Sequence, residues 1–231
     1  MRHMKLIPAL LLGAVLTAGC APSSENTARE SRESTGSADS AESENDMSAL
    51  PETAVPTEKS AHSLVVWFSL AGEQYAVGNI TEANTAILAD LIAEKTGSDT
   101  FQIVPTDPYP TSLQELFRTA EQEKDENARP DYQGDVSNWD YYDTVYIGYP
   151  TWYDDMPMIV YHFLEDHDFS GKTVCPFNTS GGEGLFSTVD TIREICKGAE
   201  VTEGMTVSGT TVQNDRDAAD EAVDAWLKGI R

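Results

Sequence analysis

Apolar positions along residues 61–231 fall into two alternating periods. Ser63 to Ser69 is a continuous apolar run, the pattern of a strand covered on both faces. Thr81 to Lys95 then places Ala83, Ile87 and Leu91 on one stripe beside Leu88 and Ile92, with Gly97 positioned to end the helix. Thr100 to Val104 reads as a second strand. Thr111 to Asn127 reads as a charged helix with Leu113, Leu116 and Phe117 inward. Thr144 to Gly148 is a third strand, and Pro157 opens a helix carrying Ile159, Val160, Phe163 and Leu164. A strand over Lys172 to Phe177, a helix over Leu185 to Lys197, a strand over Glu200 to Val207 and a helix over Arg216 to Gly229 complete the series. Strands alternating with helices over short joints predict an α/β domain with a doubly wound parallel sheet and helices on both faces.

In such sheets ligands bind outside the carboxyl ends of the strands, where the winding reverses. Three loops are expected there. The first, Ser69-Leu70-Ala71-Gly72-Glu73-Gln74, leads to Asn84 and Thr85 at a helix start. Hydroxyls, small residues and free backbone N–H groups at a helix amino terminus suit a phosphate; an ordinary capped helix has the same look. The second, Tyr149-Pro150-Thr151-Trp152-Tyr153-Asp154-Asp155, brings large aromatic rings to the edge. Exposed rings cost apolar area unless something flat covers them. The third, Asn178 to Gly184, holds Thr179, Ser180, Gly181 and Gly182, which let backbone amides approach a ligand closely; it also suits a simple flexible turn.

The amino terminus follows a different pattern. Arg2 and Lys5 precede an apolar run from Leu6 to Leu16 that ends in Thr17-Ala18-Gly19-Cys20. This has the three regions of a secretory leader and is too short to span a membrane as a helix. The final residues resemble the lipobox of bacterial lipoproteins, which implies cleavage after residue 19 and a lipid on Cys20; plain secretion with a free cysteine is the other reading. Residues 20–60 are rich in Ser, Glu, Asp, Ala and Thr and bury too little to order themselves, so an acidic tether is expected before a folded domain over 61–231.

Net charge is −24 over 231 residues, which argues against nucleic acid and favours positively charged partners. Hydrophobic residues make up 40% of the chain, enough for a single-domain core.

From about Leu64 onward the chain resembles the flavodoxins, particularly the longer-loop flavodoxin-like proteins of bacteria. The resemblance rests on Ser69, Ala71-Gly72-Glu73, Asn84-Thr85, Gly148-Tyr149-Pro150, Trp152 to Pro157, Phe169-Ser170-Gly171-Lys172 and Thr179 to Gly182. It implies a five-stranded sheet of order 2-1-3-4-5 that holds one FMN. Ser69, Asn84 and Thr85, with the amides of Ala71 and Gly72, would hold the phosphate. Pro150, Thr151, Trp152 and Tyr153 would flank the isoalloxazine, with Trp152 or Tyr153 stacked on it, and Thr179, Ser180, Gly181 and Gly182 would line its pyrimidine side. Ala83 stands where the family prefers Gly, Leu70 where Arg is common, Glu183 where Ser is frequent, and Tyr153 where compact flavodoxins carry Gly.

The cofactor would carry the redox chemistry and the protein its position and electrostatics. The expected function is electron transfer at a membrane surface, with Asp154, Asp155 and Glu183 steering a redox partner protein or small electron acceptor. An FMN-dependent NAD(P)H:quinone-type reductase is the alternative, and a non-redox binding lipoprotein a second one. The chain is expected to be exported, lipid-anchored and monomeric, without nucleic acid. His162 and His167 lack a further ligand at metal-binding spacing, so no metal site is expected. Cys175 and Cys196 read as buried thiols. Tyr109 follows the second strand in a rigid Pro-rich turn and could border the cleft.

Overall fold

The structure is a computed structural model that describes residues 62–230. The leader expected over 1–19, the lipidated Cys20, the tether over 20–60 and Ala61 lie outside the described residues.

In chain order, β1 (Ser63–Trp67) leads through the hairpin β2 (Gly72–Gln74) and β3 (Gly78–Ile80) to α1 (Asn84–Thr96). Next come β4 (Asp99–Gln102), β5 (Val104–Pro105), α2 (Leu113–Asp125), β6 (Tyr132–Gln133) and a 3-10 turn at Trp139–Tyr141. Then follow β7 (Thr144–Pro150), α3 (Met158–Asp166), β8 (Thr173–Ser180), α4 (Thr188–Ile195), β9 (Glu200–Val201), β10 (Met205–Ser208), α5 (Gly209–Asn214) and α6 (Arg216–Gly229). The central sheet runs β10-β8-β7-β1-β4, with β9 beside β8, and its ladders are parallel. Counted by the expected strands this is the order 2-1-3-4-5, so the winding reverses between β1 and β7.

The apolar runs explain the layering. Successive strand residues point to opposite faces, so Leu64, Val66 and Phe68 join Val145, Ile147 and Tyr149 in a core closed by α2, α3 and α4. Val65 and Trp67 join Tyr146, Cys175 and Phe177 on the other face, under α1 and α6. Gly97 ends α1 in the left-handed region at φ 67°, its N–H bonded to the Ala93 carbonyl, as the sequence predicts. Ser112 starts α2 by accepting from the Glu115 N–H at 3.3 Å, while Asp215 does the same for α6 from the Ala218 N–H at 3.1 Å.

Three features depart from the sequence expectation. The fifth strand, expected to be continuous over Glu200 to Val207, is broken into β9 and β10. At the break the Trp226 indole N–H donates to the Glu203 carbonyl at 2.9 Å, and a Cβ on Gly204 would stand 2.7 Å from Leu185 Cδ1. The region between the first strand and first helix, expected to be a loop, contains the β2–β3 hairpin, and α5 follows β10 where no helix is expected.

Candidate functional site

Beyond the carboxyl ends of β1, β7 and β8 lies a cleft whose walls include Asn84, Trp152, Tyr153, Thr179 and Gly181. Its position follows from the winding reversal, which sends neighbouring loops to opposite faces and leaves a gap between them.

At one end stands the amino terminus of α1. Ala83 occupies the cap position in extended conformation and offers no capping side chain of its own. The Thr85 N–H donates to Ser69 Oγ at 3.2 Å, and the Thr85 and Thr179 hydroxyls share a hydrogen bond of 2.8 Å. Thr85 thus ties the first loop to the end of β8 and is itself fully buried. Asn84 is held from α5, because Gln213 Nε2 donates to its Oδ1 at 2.8 Å. A Cβ on Gly209 would lie 2.7 Å from Asn84 Nδ2, so only glycine lets α5 close against this corner.

The aromatic loop makes a tight turn. Trp152 and Asp155 exchange both backbone hydrogen bonds, at 2.8 and 3.0 Å, around Tyr153 and Asp154, whose φ values are 49° and 60°. Two consecutive left-handed residues make a hairpin turn of the I′ kind. This turn separates the two rings. Trp152 is buried at 9% exposure, edge-on to Phe68 and Tyr109 with centroids 5.3 and 5.2 Å away. Tyr153 is 41% exposed and packs edge-on against Phe117 of α2. The pair expected to be exposed together is therefore split, one ring lodged in the core wall and one at the mouth. Lys124 of α2 braces the turn, donating to the Tyr153 carbonyl at 2.6 Å and approaching Asp155 at 3.4 Å. Partial burial, reinforced by the Glu121 carboxylate, raises the Tyr153 phenol pKa.

The third loop is organised from β8, which extends to Ser180. Asn178 Nδ2 donates to Thr151 Oγ1 at 2.7 Å and to the Gly184 carbonyl at 3.1 Å, so this buried amide joins the second and third loops. Ser180 Oγ accepts from the N–H groups of Gly182 and Gly184 at 3.1 and 3.3 Å. Beneath them Tyr149 is fully buried, its hydroxyl 2.7 Å from that of Thr188, and burial pushes its pKa up so that it stays a neutral phenol.

Of the residues expected at the site, Asn84, Pro150, Thr151, Trp152, Tyr153, Thr179, Ser180 and Gly181 line the cleft. Ser69 and Thr85 stand immediately behind Asn84 and Thr179, joined to them through the chain and through the Thr85–Thr179 bond. Gly182 lies just past the lining, with its N–H turned back to Ser180. Ala71 is exposed, and Gly72 opens the hairpin with its backbone against Thr111, where a Cβ would meet the Thr111 carbonyl at 3.1 Å. Sequence reasoning missed Tyr75, Leu113, Phe117 and Gly209, all of which line the cleft. The apolar stripe of α2 was legible, but nothing in it told which face met a ligand. Tyr109 packs behind Trp152 and donates to Glu123 at 3.0 Å.

His162 and His167 line a separate depression with Asp131, Asp135 and Asp166. Among the described residues no group of three or more such side chains is placed to hold a metal ion. Cys175 and Cys196 are free and buried, and burial pushes their thiols up to about 11 and about 12.

An open parallel sheet with an anion-type corner and an aromatic slot at the point of winding reversal defines the flavodoxin-like class of α/β proteins. The chain belongs to the flavodoxin family: the family model described as Flavodoxin matches residues 63–227. Among solved structures, a protein of Bacteroides eggerthii DSM 20697 assigned as a flavoprotein is 29% identical, with 74% of this chain and 98% of that chain covered and a TM-score of 0.59. A counterpart from Bacteroides uniformis ATCC 8492 is 27% identical, with 73% and 98% covered and a TM-score of 0.59. A flavoprotein from Lactobacillus acidophilus NCFM, solved in complex with FMN, shares the fold at 20% identity, with 72% and 99% covered and a TM-score of 0.53. No curated protein matches the chain.

Proposed function

We propose that the chain binds one FMN in this cleft and serves as an electron-transfer protein held at a membrane surface. The observation that carries the reading is the convergence, on one sheet edge, of a helix amino terminus ringed by hydroxyls and a slot walled by aromatic rings. The donor set fits the cofactor. Ser69, Asn84 and Thr85 surround the first turn of α1, where the N–H groups and the helix dipole favour a phosphate. Thr151 to Tyr153 and Thr179 to Gly181 flank the slot, where a flat ring would lie. FMN, when bound, supplies one- and two-electron redox chemistry. The protein orients it and excludes water, since Trp152, Thr179 and Ser180 are all buried beneath the loops.

Electrostatics support a cationic partner. Asp154 and Glu183 line the mouth, and the formal net charge is −24. Complementary charge mainly raises the encounter rate and fixes orientation. Titration of the full chain with FMN is expected to quench the flavin fluorescence with saturation at one equivalent. Under anaerobic conditions the bound flavin is expected to bleach with dithionite and to remain oxidised with NADH or NADPH. Rapid bleaching by a nicotinamide would replace the carrier with a reductase, and absence of any flavin binding would leave a binding module without redox function.

The surface location rests on the residues of the amino terminus, Leu6 to Cys20. One acyl chain holds a protein only marginally, so more than one is needed for stable anchoring. Metabolic labelling with a fatty-acid analogue in a bacterial host is expected to mark the wild-type chain and not Cys20→Ser, with FMN binding the same in both. Equal labelling of the two chains would overturn the assignment of Cys20.

A further inference from the structure

We propose that Tyr75, at the tip of the β2–β3 hairpin, is the aromatic cover of the cleft, a positioning residue that stacks on the bound flavin and closes it to solvent. The inference rests on the FMN reading above and extends it to a residue from a part of the chain with no strand or helix signal.

The hairpin is fixed at its root and carries its ring at the tip. Gly72, Glu73 and Gln74 pair with Ile80, Asn79 and Gly78. The Glu73 carboxylate accepts from the Leu113 N–H at 2.9 Å, and Gln74 Nε2 donates to the Leu70 carbonyl at 3.2 Å. These bonds tie the base to the start of α2 and to the end of the first strand's loop. Between the paired strands stand only Tyr75, Ala76 and Val77, with Ala76 in the left-handed region at φ 61°. A non-glycine residue there is uncommon and costs roughly 1 kcal/mol.

The tip reaches the opposite wall. The Tyr75 ring lies against Gly181 on the β8 loop, close enough that a Cβ on Gly181 would meet Cδ1 at 2.8 Å and Cε1 at 2.9 Å. The ring therefore crosses from the first loop to the third, above the slot between them. Despite this contact Tyr75 is 61% exposed, and the rings nearest the mouth, Phe117 and Tyr153, are 36% and 41% exposed. Exposed apolar area of this size around one opening gains by being covered. Trp152 and Tyr153 line the slot from the second loop, and Tyr75 covers it from the side of the first and third loops. A ring ligand in the slot offers Tyr75 an offset stack, a geometry favourable beyond the area it buries.

The test uses the full chain with FMN as probe. Tyr75→Ala is expected to weaken FMN binding at least about tenfold, the effect of losing a buried stacking contact. The visible flavin band of the bound fraction should lose its resolved shoulders and approach that of free FMN. Tyr75→Phe keeps the ring and is expected to bind like the wild type, with the same band shape. The thermal midpoint of the ligand-free protein should be equal in all three, because the ring rests on the surface; this separates stacking from a structural role. Wild-type affinity and spectrum retained in Tyr75→Ala would overturn the assignment while leaving the FMN reading intact. A wild-type chain that does not bind FMN would remove both.

Discussion

Gly148→Ala is expected to destabilise the folded domain by about 3 kcal/mol, the largest effect of any one-carbon change in the chain. Gly148 sits in β7 directly beside Phe177 of β8, and the ring lies across it so closely that a Cβ would overlap the ring carbons. The ring cannot swing aside. Phe177 is fully buried in the core under α1 and α6 and faces Trp226, with centroids 6.3 Å apart. Replacing Gly by Ala inside a strand would otherwise gain roughly 0.5–1 kcal/mol of backbone entropy, so the clash has to exceed that gain. Against a typical total of about 5–15 kcal/mol, a loss of this size is severe. The second and third loops begin one residue further on, at Tyr149 and Asn178, so forcing the two strands apart should weaken FMN binding as well. Urea unfolding of the full chain measures the first effect and flavin quenching the second. In Gly148→Ala/Phe177→Ala the clash is gone, and the double variant should be at least about 1 kcal/mol more stable than the sum of the single losses requires. A Gly148→Ala chain within about 1 kcal/mol of wild type would show that the core yields more readily than its packing implies.

Lys172→Met is expected to cost about 1–2 kcal/mol while FMN affinity stays within about twofold of wild type. Lys172 is 8% exposed at the amino-terminal end of β8. Its ammonium donates to the carbonyls of Trp139 and Tyr142 at 3.0 and 2.6 Å and lies 5.1 Å from the centre of the Trp139 ring. Methionine fills similar space without a donor, which takes from the Tyr142 carbonyl its ammonium partner, while the Trp139 carbonyl still accepts from the Tyr142 N–H at 3.2 Å. An unpaired buried carbonyl costs roughly 1–3 kcal/mol, and relief of the buried charge offsets part of it. The separation of effects is the informative part: the site lies at the opposite edge of the sheet, so stability falls and binding does not. Denaturant midpoints and a flavin titration on the same preparation measure both. An unchanged midpoint would mean that water replaces the ammonium at the Tyr142 carbonyl.

The sheet was readable because β1, β7 and β8 are buried on both faces and their apolar runs are unbroken. The anion-type corner was readable from Ser69, Asn84 and Thr85, since a helix start beside hydroxyls is a local pattern. The β2–β3 hairpin was not, because Gly-Glu-Gln and Gly-Asn-Ile carry no alternation of apolar and polar positions. Their pairing is held by contacts with Thr111 and Leu113, some thirty to forty residues away. The break in the fifth strand had the same cause, as Leu185 and Trp226 meet Glu203 and Gly204 only after the chain has folded.

By itself the sequence determined the fold class, the order of the core strands, the family and the edge at which a ligand belongs, because these follow from local period and short motifs. Only the tertiary structure decided how the rings are disposed about the cleft at that edge. Trp152 and Tyr153 are adjacent and both aromatic, and it is the turn around Tyr153 and Asp154, braced by Lys124 from α2, that lodges one in the core wall and leaves the other at the mouth. Tyr75 reaches Gly181 across more than a hundred residues of chain because β1 and β8 flank β7 in the sheet. Side-chain direction at a site depends on long-range contacts that no local pattern encodes.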